Sequence, residues 1–440
     1  MSRVKDVTTP RLQNFLEFQK DPLFFFLNML DKGDIVSLRT GFKPSFIVNS
    51  PEFVKEILVT KDSYFRKGRT TKVLRRTIGD GLLTTEKEEH RRQKNYYQPI
   101  FYKERLNHYA MTMVEETKKL VETLQHRKNC NLSDEMMQLT LVIISKVMFA
   151  TDLEKNKEML AEAVSETIEQ TAHTLLSPVI LPLNVPTKRH KIHKKAISKL
   201  ENMIYEIIKQ AKENPENYQM TMVGMMLDTT LATGERISDE EIRNQMMTML
   251  LAGHETSANL LTWIFYALSQ NPEVERKFHE EIDAISLLEE SPFEVYSKLA
   301  YTQQMMKEAL RLFPPAWLIY READKDVELL GETFKEGSTF MICSYAIHRN
   351  HEMFPNPEEF QPNRFASGSN ETLPPFAYFP FGGGSRSCIG YKFAVMETVL
   401  ILAIIGRKYK FQHIEGEQAI PDPLVSLRIK DGLRMEIIKR

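Results

Sequence analysis

Cys388 closes the run Phe381-Gly382-Gly383-Gly384-Ser385-Arg386-Ser387-Cys388-Ile389-Gly390. Three glycines in a row make a loop that can turn sharply and bring backbone close to a ligand. Behind the cysteine, Ile389 to about Ile405 reads as an apolar helix. A helix N-terminus lowers a thiol pKa and stabilises the thiolate. Arg386, two residues earlier, adds positive charge. A thiolate so placed suits a nucleophile or a metal ligand, and the residues by themselves leave both open. The plain alternative is a buried, inert cysteine after an ordinary turn.

Three other pairings carry possible chemistry. Ala252-Gly253-His254-Glu255-Thr256-Ser257 puts an acid beside an alcohol inside a long helical pattern. In isolation Gly253 weakens a helix by about 1 kcal/mol against Ala. A helix-interior Thr usually bonds back to the carbonyl one turn earlier. Glu308 and Arg311 lie three apart on one helical face, and His90 and Lys94 lie four apart on another. The Glu308–Arg311 pair, taken alone, reads as a solvated surface feature.

Taken together these stretches are similar to the cytochrome P-450 superfamily. Phe-x-x-Gly-x-Arg-x-Cys-x-Gly is that family's haem-binding signature, matched here without departure. The resemblance implies haem b with Cys388 as its thiolate ligand, which pushes electron density onto iron and favours O–O cleavage. It further implies that Phe381 shields the sulfur, Arg386 pairs with a haem propionate, and Gly390 lets the next helix pass close under the porphyrin. Ala-Gly-x-Glu-Thr resembles the family's oxygen-activation motif. Ala252 and Gly253 would then leave room for dioxygen, Thr256 would hydrogen-bond the bound oxygen, and Glu255 would feed it protons. His254 falls where the family varies and is read as structural. Glu308, Arg311 and Arg364 of Pro362-Asn363-Arg364-Phe365 resemble the family's structural charge network, with Asn363 where Glu is commoner. Arg321, His90 and Lys94 resemble propionate ligands, Lys94 standing in place of Arg and so offering one compact charge in place of a fork.

By family position the substrate pocket takes Val73, Leu74 and Leu82 from the loop before His90. Leu251, Ala252 and Thr256 come from the long helix. Ala316, Trp317 and Leu318 follow the Glu-x-x-Arg helix, and Leu424 to Leu427, including Val425, lie near the C-terminus. These are mostly apolar and imply a small lipophilic substrate: a fatty acid, terpenoid, steroid or polyketide. The implied activity is a monooxygenase that puts one atom of O2 into that substrate by hydroxylation or epoxidation. A peroxide-driven peroxygenase is a second reading, disfavoured by Glu255-Thr256, and a non-catalytic haem sensor is a third. The resemblance spans nearly the whole chain, so residues 1–440 are expected to form one catalytic domain with no fused reductase. Electrons would come from a separate ferredoxin or flavodoxin and its reductase. Arg91, Arg92, Lys103, Arg105 and Lys392 are the expected docking charges, against the plain reading of a solvated basic face.

These residues need a scaffold, and the pattern around them supplies one. Apolar residues at three- and four-residue steps mark helices near 103–128, 133–150, 156–176 and 189–213. The best-marked helix begins at Ser238-Asp239-Glu240-Glu241, which has the form of a capping box, and runs to about Ser269, where Asn271-Pro272 stops it. The stretch Pro178 to Pro186 reads as a loop. Alternation in Ile35-Val36-Ser37-Leu38 and Ser45-Phe46-Ile47-Val48 marks a small sheet, followed by a helix-like Pro51–Leu58. Val327–Leu330, Thr339–Cys343 and Leu433–Ile438 are further short strands. The expected fold class is mainly α with a small β region, which the resemblance identifies with the cytochrome P-450 fold. In that fold the haem lies between the long central helix and the cysteine-loop helix.

Bulk properties narrow the rest. At 440 residues, with 42% hydrophobic and 27% charged, the chain can bury a large core. Its 58 basic and 59 acidic side chains leave a net charge of −1, which gives no bulk attraction to nucleic acid. Cys130, Cys343 and Cys388 are odd in number and widely spaced, which argues against a disulfide framework and for a reducing, cytoplasmic setting. No stretch approaches the roughly 20 apolar residues of a transmembrane helix; Pro22–Leu30 is too short.

Overall fold

The computed structural model describes all residues except 1–2, 8, 39–43, 150–156, 178–179, 230–233, 235, 287–289 and 369–372. Positions 178 and 179 of the expected Pro178–Pro186 loop therefore lie outside the described residues. In chain order the first elements are β1 (Val4–Asp6), α1 (Arg11–Lys20), α2 (Pro22–Leu30), β2 (Ile35–Leu38), β3 (Ser45–Val48), α3 (Pro51–Lys55) and β4 (Phe65–Arg66). Then come α4 (Arg69–Ile78), α5 (Lys87–Tyr97), α6 (Lys103–Leu124), β5 (Asn129–Asn131), α7 (Leu132–Phe149), α8 (Lys157–Leu176) and α9 (Lys188–Glu213). They are followed by α10 (Met222–Asp228), α11 (Asp239–Gln270), α12 (Pro272–Asp283), α13 (Pro292–Lys298) and α14 (Ala300–Leu312). The chain continues through β6 (Leu318–Ala323), β7 (Val327–Leu329), β8 (Glu332–Phe334), β9 (Thr339–Cys343) and α15 (Ser344–Ile347). It ends with α16 (Tyr391–Gly406), β10 (Tyr409–His413), β11 (Pro421–Pro423), β12 (Leu427–Ile429) and β13 (Arg434–Lys439).

Contacts gather into two compact units. The first unit holds residues 1–70 and 304–388. Its centre is a six-stranded mixed sheet in the order β1-β2-β3-β9-β6-β4. β3 runs parallel to β9, with Ile47 opposite Met341, and β6 runs antiparallel to β9, with Arg321 opposite Phe340. Ile35, Val48, Phe53, Phe340, Ile342 and Phe379 fill the core against this sheet. Branched and aromatic side chains suit such a half-buried pleated surface.

The second unit holds residues 71–303 and 389–440 and is mainly helical. Its axis is α11, 32 residues long, about 48 Å at 1.5 Å per residue. α11 packs along α7, and α16 packs along α6. Ser238 Oγ accepts the Glu241 N–H at 3.2 Å, which fixes the start of α11. The return half of the expected capping box is absent. The Glu241 carboxylate instead accepts from Arg92 Nη2 at 2.9 Å and Tyr97 OH at 2.8 Å on α5. α16 starts at Tyr391, two residues beyond the expected Ile389, and is buried on nearly every face. β13 lies between β10 and the three-residue β5. Val73 and Leu74, expected in a loop, sit on α4, which buries Val73, Thr77 and Ile78 while Lys72 and Arg75 face solvent. Among the described residues no helix is long and apolar enough to cross a membrane.

Candidate active site

In the first unit the loop around the cysteine is closed by its own backbone. The Cys388 N–H donates to Phe381 O at 3.0 Å, Ser387 N–H to Gly384 O at 3.2 Å, and Gly382 N–H to Phe379 O at 2.9 Å. Gly384 has φ +64°, and a Cβ there would stand 1.9 Å from Leu58 O. Only glycine satisfies both demands. Ser385 Oγ adds a short bond to Asp62. The result is a rigid turn with Cys388 exposed at its end and with Phe381 and Arg386 half-buried. The other two cysteines are different: burial pushes the Cys130 and Cys343 thiols up to about 12, so both stay protonated.

A buried charge network stands behind this loop. Arg311 spends all five N–H donors inside the protein. Nε and Nη2 grip Glu308 at 2.8 Å each, and the remaining three reach the carbonyls of His348, Pro357 and Glu359 at 3.0, 2.7 and 3.1 Å. Arg364 Nε donates to Glu308 Oε1 at 3.2 Å, as does the Gln361 N–H at 2.9 Å. Glu308 and Arg311 have no solvent exposure, so this is an internal strut and not a surface pair. His348 was not singled out in the sequence. Its Nε2 accepts the Phe379 N–H at 3.0 Å, and Phe379 O in turn accepts from Gly382. Burial, with Arg311 and Arg349 beside it, pushes the His348 pKa down to about 3, so the ring is neutral and fit to accept. A lone histidine in a loop carries no local signal for that role. Arg321 is buried in β6 and donates to Tyr320 O at 2.9 Å. Trp317 is buried, with its ring edge-on to Phe26 at 6.2 Å, while Ala316 is exposed and Leu318 half-buried.

In the second unit α11 is buried for most of its length, but Leu251, Ala252, Gly253 and Thr256 leave one uncovered stripe at its middle. Small side chains on an otherwise covered helix fit a flat apolar group lying against them, as the implied haem requires. Thr256 Oγ1 donates to Ala252 O at 3.0 Å, so its proton is committed and its oxygen lone pairs face outward. Gly253 faces Ile144 of α7, where a Cβ would meet the side chain at 3.4 Å.

Glu255 points away from that stripe and is almost fully buried. Burial raises its pKa, against the pull of a hydrogen bond from Ser426 and of Arg428. Ser426 Oγ donates to Glu255 Oε1 at 2.8 Å and accepts from Asn259 Nδ2 at 2.8 Å. Glu255 and His254 line a cavity of about 270 Å³ walled by Leu141, Val164, Ile168 and Leu424, with Glu169 and Arg428 at its partly exposed rim. His254 Nδ1 donates to Leu250 O at 2.7 Å, and burial holds its pKa down near 4, so it is a neutral structural ring. Val425 is exposed and Leu427 is fully buried, its carbonyl accepting from Trp263.

His90 is buried and Lys94 half-buried on α5, and Gly390 caps α16 with Phe101 3.5 Å from its Cβ position. Leu74 and Leu82 are half-buried and Val73 is buried. Of the expected docking charges, Arg91 and Lys392 are exposed. Arg92 is not free: Glu89 and Glu241 both hold it and raise its pKa. Lys103 lies over the Phe293 ring at 4.4 Å, and Arg105 donates to Gln219 O at 3.1 Å.

Comparison with known proteins identifies the family. The family model described as cytochrome P450 matches residues 6–433. The chain is 33% identical over 430 residues to a cyclooctatin synthase of Streptomyces melanosporofaciens, covering 95% of this chain and 92% of that one. It is 27% identical over 428 residues to a pentalenene oxygenase of Streptomyces avermitilis, covering 96% and 94%. The fold superposes on a solved cytochrome P450 haem domain with a TM-score of 0.90 at 23% identity, covering 100% of this chain and 98% of that one. The chain belongs to the cytochrome P450 family: it is a monooxygenase-type oxidoreductase of mainly helical fold whose haem is held by a cysteine thiolate.

Proposed function

We propose that residues 1–440 act as one catalytic domain that inserts one oxygen atom from O2 into a small lipophilic molecule, with Cys388 as the haem ligand. The observation that carries this reading is the split arrangement of Glu255 and Thr256. Thr256 lies on the open stripe of α11, while Glu255 faces the cavity behind it. The haem, when bound, supplies the centre at which dioxygen is reduced and split. The chain must supply protons there and hold other water away. Thr256, anchored on Ala252 O, offers only its lone pairs and so accepts from a proton-bearing oxygen on the stripe. Glu255, its pKa raised by burial, takes protons from solvent through the cavity and passes them on. Phe381 shields the Cys388 sulfur. With haem bound, the family resemblance implies that Arg386, Arg321, His90 and Lys94 would be propionate partners and that Ala252 and Gly253 would leave space for oxygen.

The apolar character of Leu74, Leu82, Leu251, Ala316, Leu318 and Val425 supports a lipophilic substrate. The name of the pentalenene oxygenase says that this relative acts on pentalenene, which supports a terpenoid-type skeleton here. Hydroxylation or epoxidation is the reaction, in the cytoplasm. Electrons come from a separate acidic ferredoxin or flavodoxin and its reductase, docking at a face that includes Arg91 and Lys392. Charge reversal at Arg91 is expected to slow reduction and weaken its salt dependence; unchanged rates would remove that docking face.

The peroxide-driven alternative is separated by Thr256→Ala. The proposal expects the variant to waste electrons, giving less product per reducing equivalent with reductant, ferredoxin and oxygen. Turnover with peroxide alone should hardly change. Equal coupling before and after the substitution would refute the proton-relay reading.

A further inference from the structure

We propose that Gln245 is a positioning residue for the substrate pocket. Its side-chain amide, paired with that of Gln93, holds the loop 79–85 on the stripe of α11 that leads to Ala252 and Thr256. The proposal rests on the reading of that stripe as the oxygen-bearing side of the pocket.

Both amides are fully or almost fully buried. A buried primary amide is costly unless its donors and acceptor are met. Here the pairing can be worked out from donor to acceptor. The Leu82 N–H donates at 3.0 Å to Gln245 Oε1, so the oxygen of that amide must face the loop. Its nitrogen then turns to α5 and donates to Gln93 Oε1 at 2.9 Å. Gln93 Oε1 also accepts from Thr85 Oγ1 at 3.1 Å. That leaves Gln93 Nε2 to donate to Asp80 O at 3.1 Å and Glu89 Oε1 at 2.9 Å. One assignment satisfies every contact, and three of the partners (Asp80, Leu82 and Thr85) belong to the same short loop.

The loop lies flat on α11. A Cβ at Gly81 would stand 2.1 Å from Thr248 Oγ1 and 2.8 Å from Asn244 O, so the loop backbone packs directly on this part of α11. Position 252 is seven residues beyond 245, two turns along the same face and about 10 Å away. The network therefore sets the height of Leu82 over the stripe. It also fixes α5, on which His90 precedes Gln93 by one turn. Neither glutamine touches the oxygen motif. They act through Leu82.

The test uses haem-loaded protein, Gln245→Met and Gln93→Met, with imidazole and 4-phenylimidazole as iron-binding probes. Imidazole reports the iron alone, and the phenyl group reports the pocket wall. With Gln245→Met, exchange of the Leu82 amide hydrogen should quicken by about tenfold, as for loss of one buried hydrogen bond. Affinity for 4-phenylimidazole should fall about two- to tenfold relative to imidazole. Imidazole binding and the spectrum of the reduced carbonyl complex should stay as in the wild type. Gln93→Met should give a smaller change of the same sign. An unchanged affinity ratio, with or without faster exchange, overturns the proposal. Should Gln245→Met fail to load haem, Gln93→Met decides by the same comparison of 4-phenylimidazole with imidazole, and an unchanged affinity ratio there overturns the proposal. A wild type without thiolate-type carbonyl haem would instead refute the functional reading and leave the loop geometry standing.

Discussion

Glu397 offers a sharp test of how burial sets charge in this molecule. It sits on α16, nine residues beyond Cys388, and both carboxylate oxygens are buried without a hydrogen-bond partner. Burial pushes its pKa up from 4.5 to about 8, with the Ser257 hydroxyl pulling weakly the other way. Ser257 follows Thr256 on α11. The sign follows from linkage. In the unfolded chain the carboxyl ionises near 4.5, while in the folded protein it keeps its proton to about 8. Over that window the folded state binds the extra proton, so stability falls as pH rises and the loss is complete above the folded pKa. For one group with these two values the penalty is about 1 kcal/mol at pH 5 and about 3 kcal/mol at pH 7. Glu397→Gln keeps the shape and removes the titration. The expected result is a variant that exceeds the wild type in urea midpoint by a margin that widens from pH 5 to pH 8. The two proteins share every other titrating group, so those contributions cancel. A margin that stays flat with pH would refute the assignment of a buried neutral carboxyl.

Three further outcomes follow from the same geometry. Gly384→Ala combines a positive φ with a Cβ 1.9 Å from Leu58 O and should cost roughly 1–3 kcal/mol or more and reduce the fraction of haem with bound thiolate. Gly368→Ala, also positive in φ but in open space, should leave that fraction unchanged, as read by the carbonyl spectrum. Glu308→Gln leaves the Arg311 guanidinium buried without its counter-charge and should lower stability by about 3–5 kcal/mol in denaturant titration. Gly253→Ala meets only Ile144 at ordinary contact distance and should raise the unfolding midpoint by the equivalent of about 1 kcal/mol through helix propensity.

Much of the scaffold could be read from the sequence because its signals are local. α11 announces itself through the Ser238 cap, a 3.6-residue period and the Asn271-Pro272 stop. The helices at 103–124 and 188–213 show the same period, and β9 coincides with the Thr339–Cys343 alternation. The turn before Cys388 was legible from its run of glycines, although the Leu58 carbonyl that makes Gly384 necessary lies far off in the chain. What stayed hidden depends on partners far along the chain. Glu241 looked like half of a capping box because nothing nearby reveals that Arg92 and Tyr97 claim it. The same contact takes Arg92 out of the docking set. Trp317 immediately precedes β6, and its burial against Phe26, almost three hundred residues earlier in the chain, leaves no local trace. β5 is three residues long and exists because β13 lies beside it. His348, Gln93 and Gln245 carry no pattern of their own, and their roles appear only when their acceptors and donors are brought within 3 Å or so.

The most direct test of the central claim is the visible spectrum of the dithionite-reduced protein under carbon monoxide, recorded for the wild type beside Cys388→Ser. The account predicts the strongly red-shifted Soret band of thiolate-bound haem in the wild type and its loss in the variant, with Cys130 and Cys343 unable to replace it because both are buried and protonated. A band typical of histidine or neutral thiol in freshly prepared, haem-replete wild type, or a red-shifted band that survives in Cys388→Ser, would contradict the assignment of Cys388 and with it the oxygenase mechanism built on that loop.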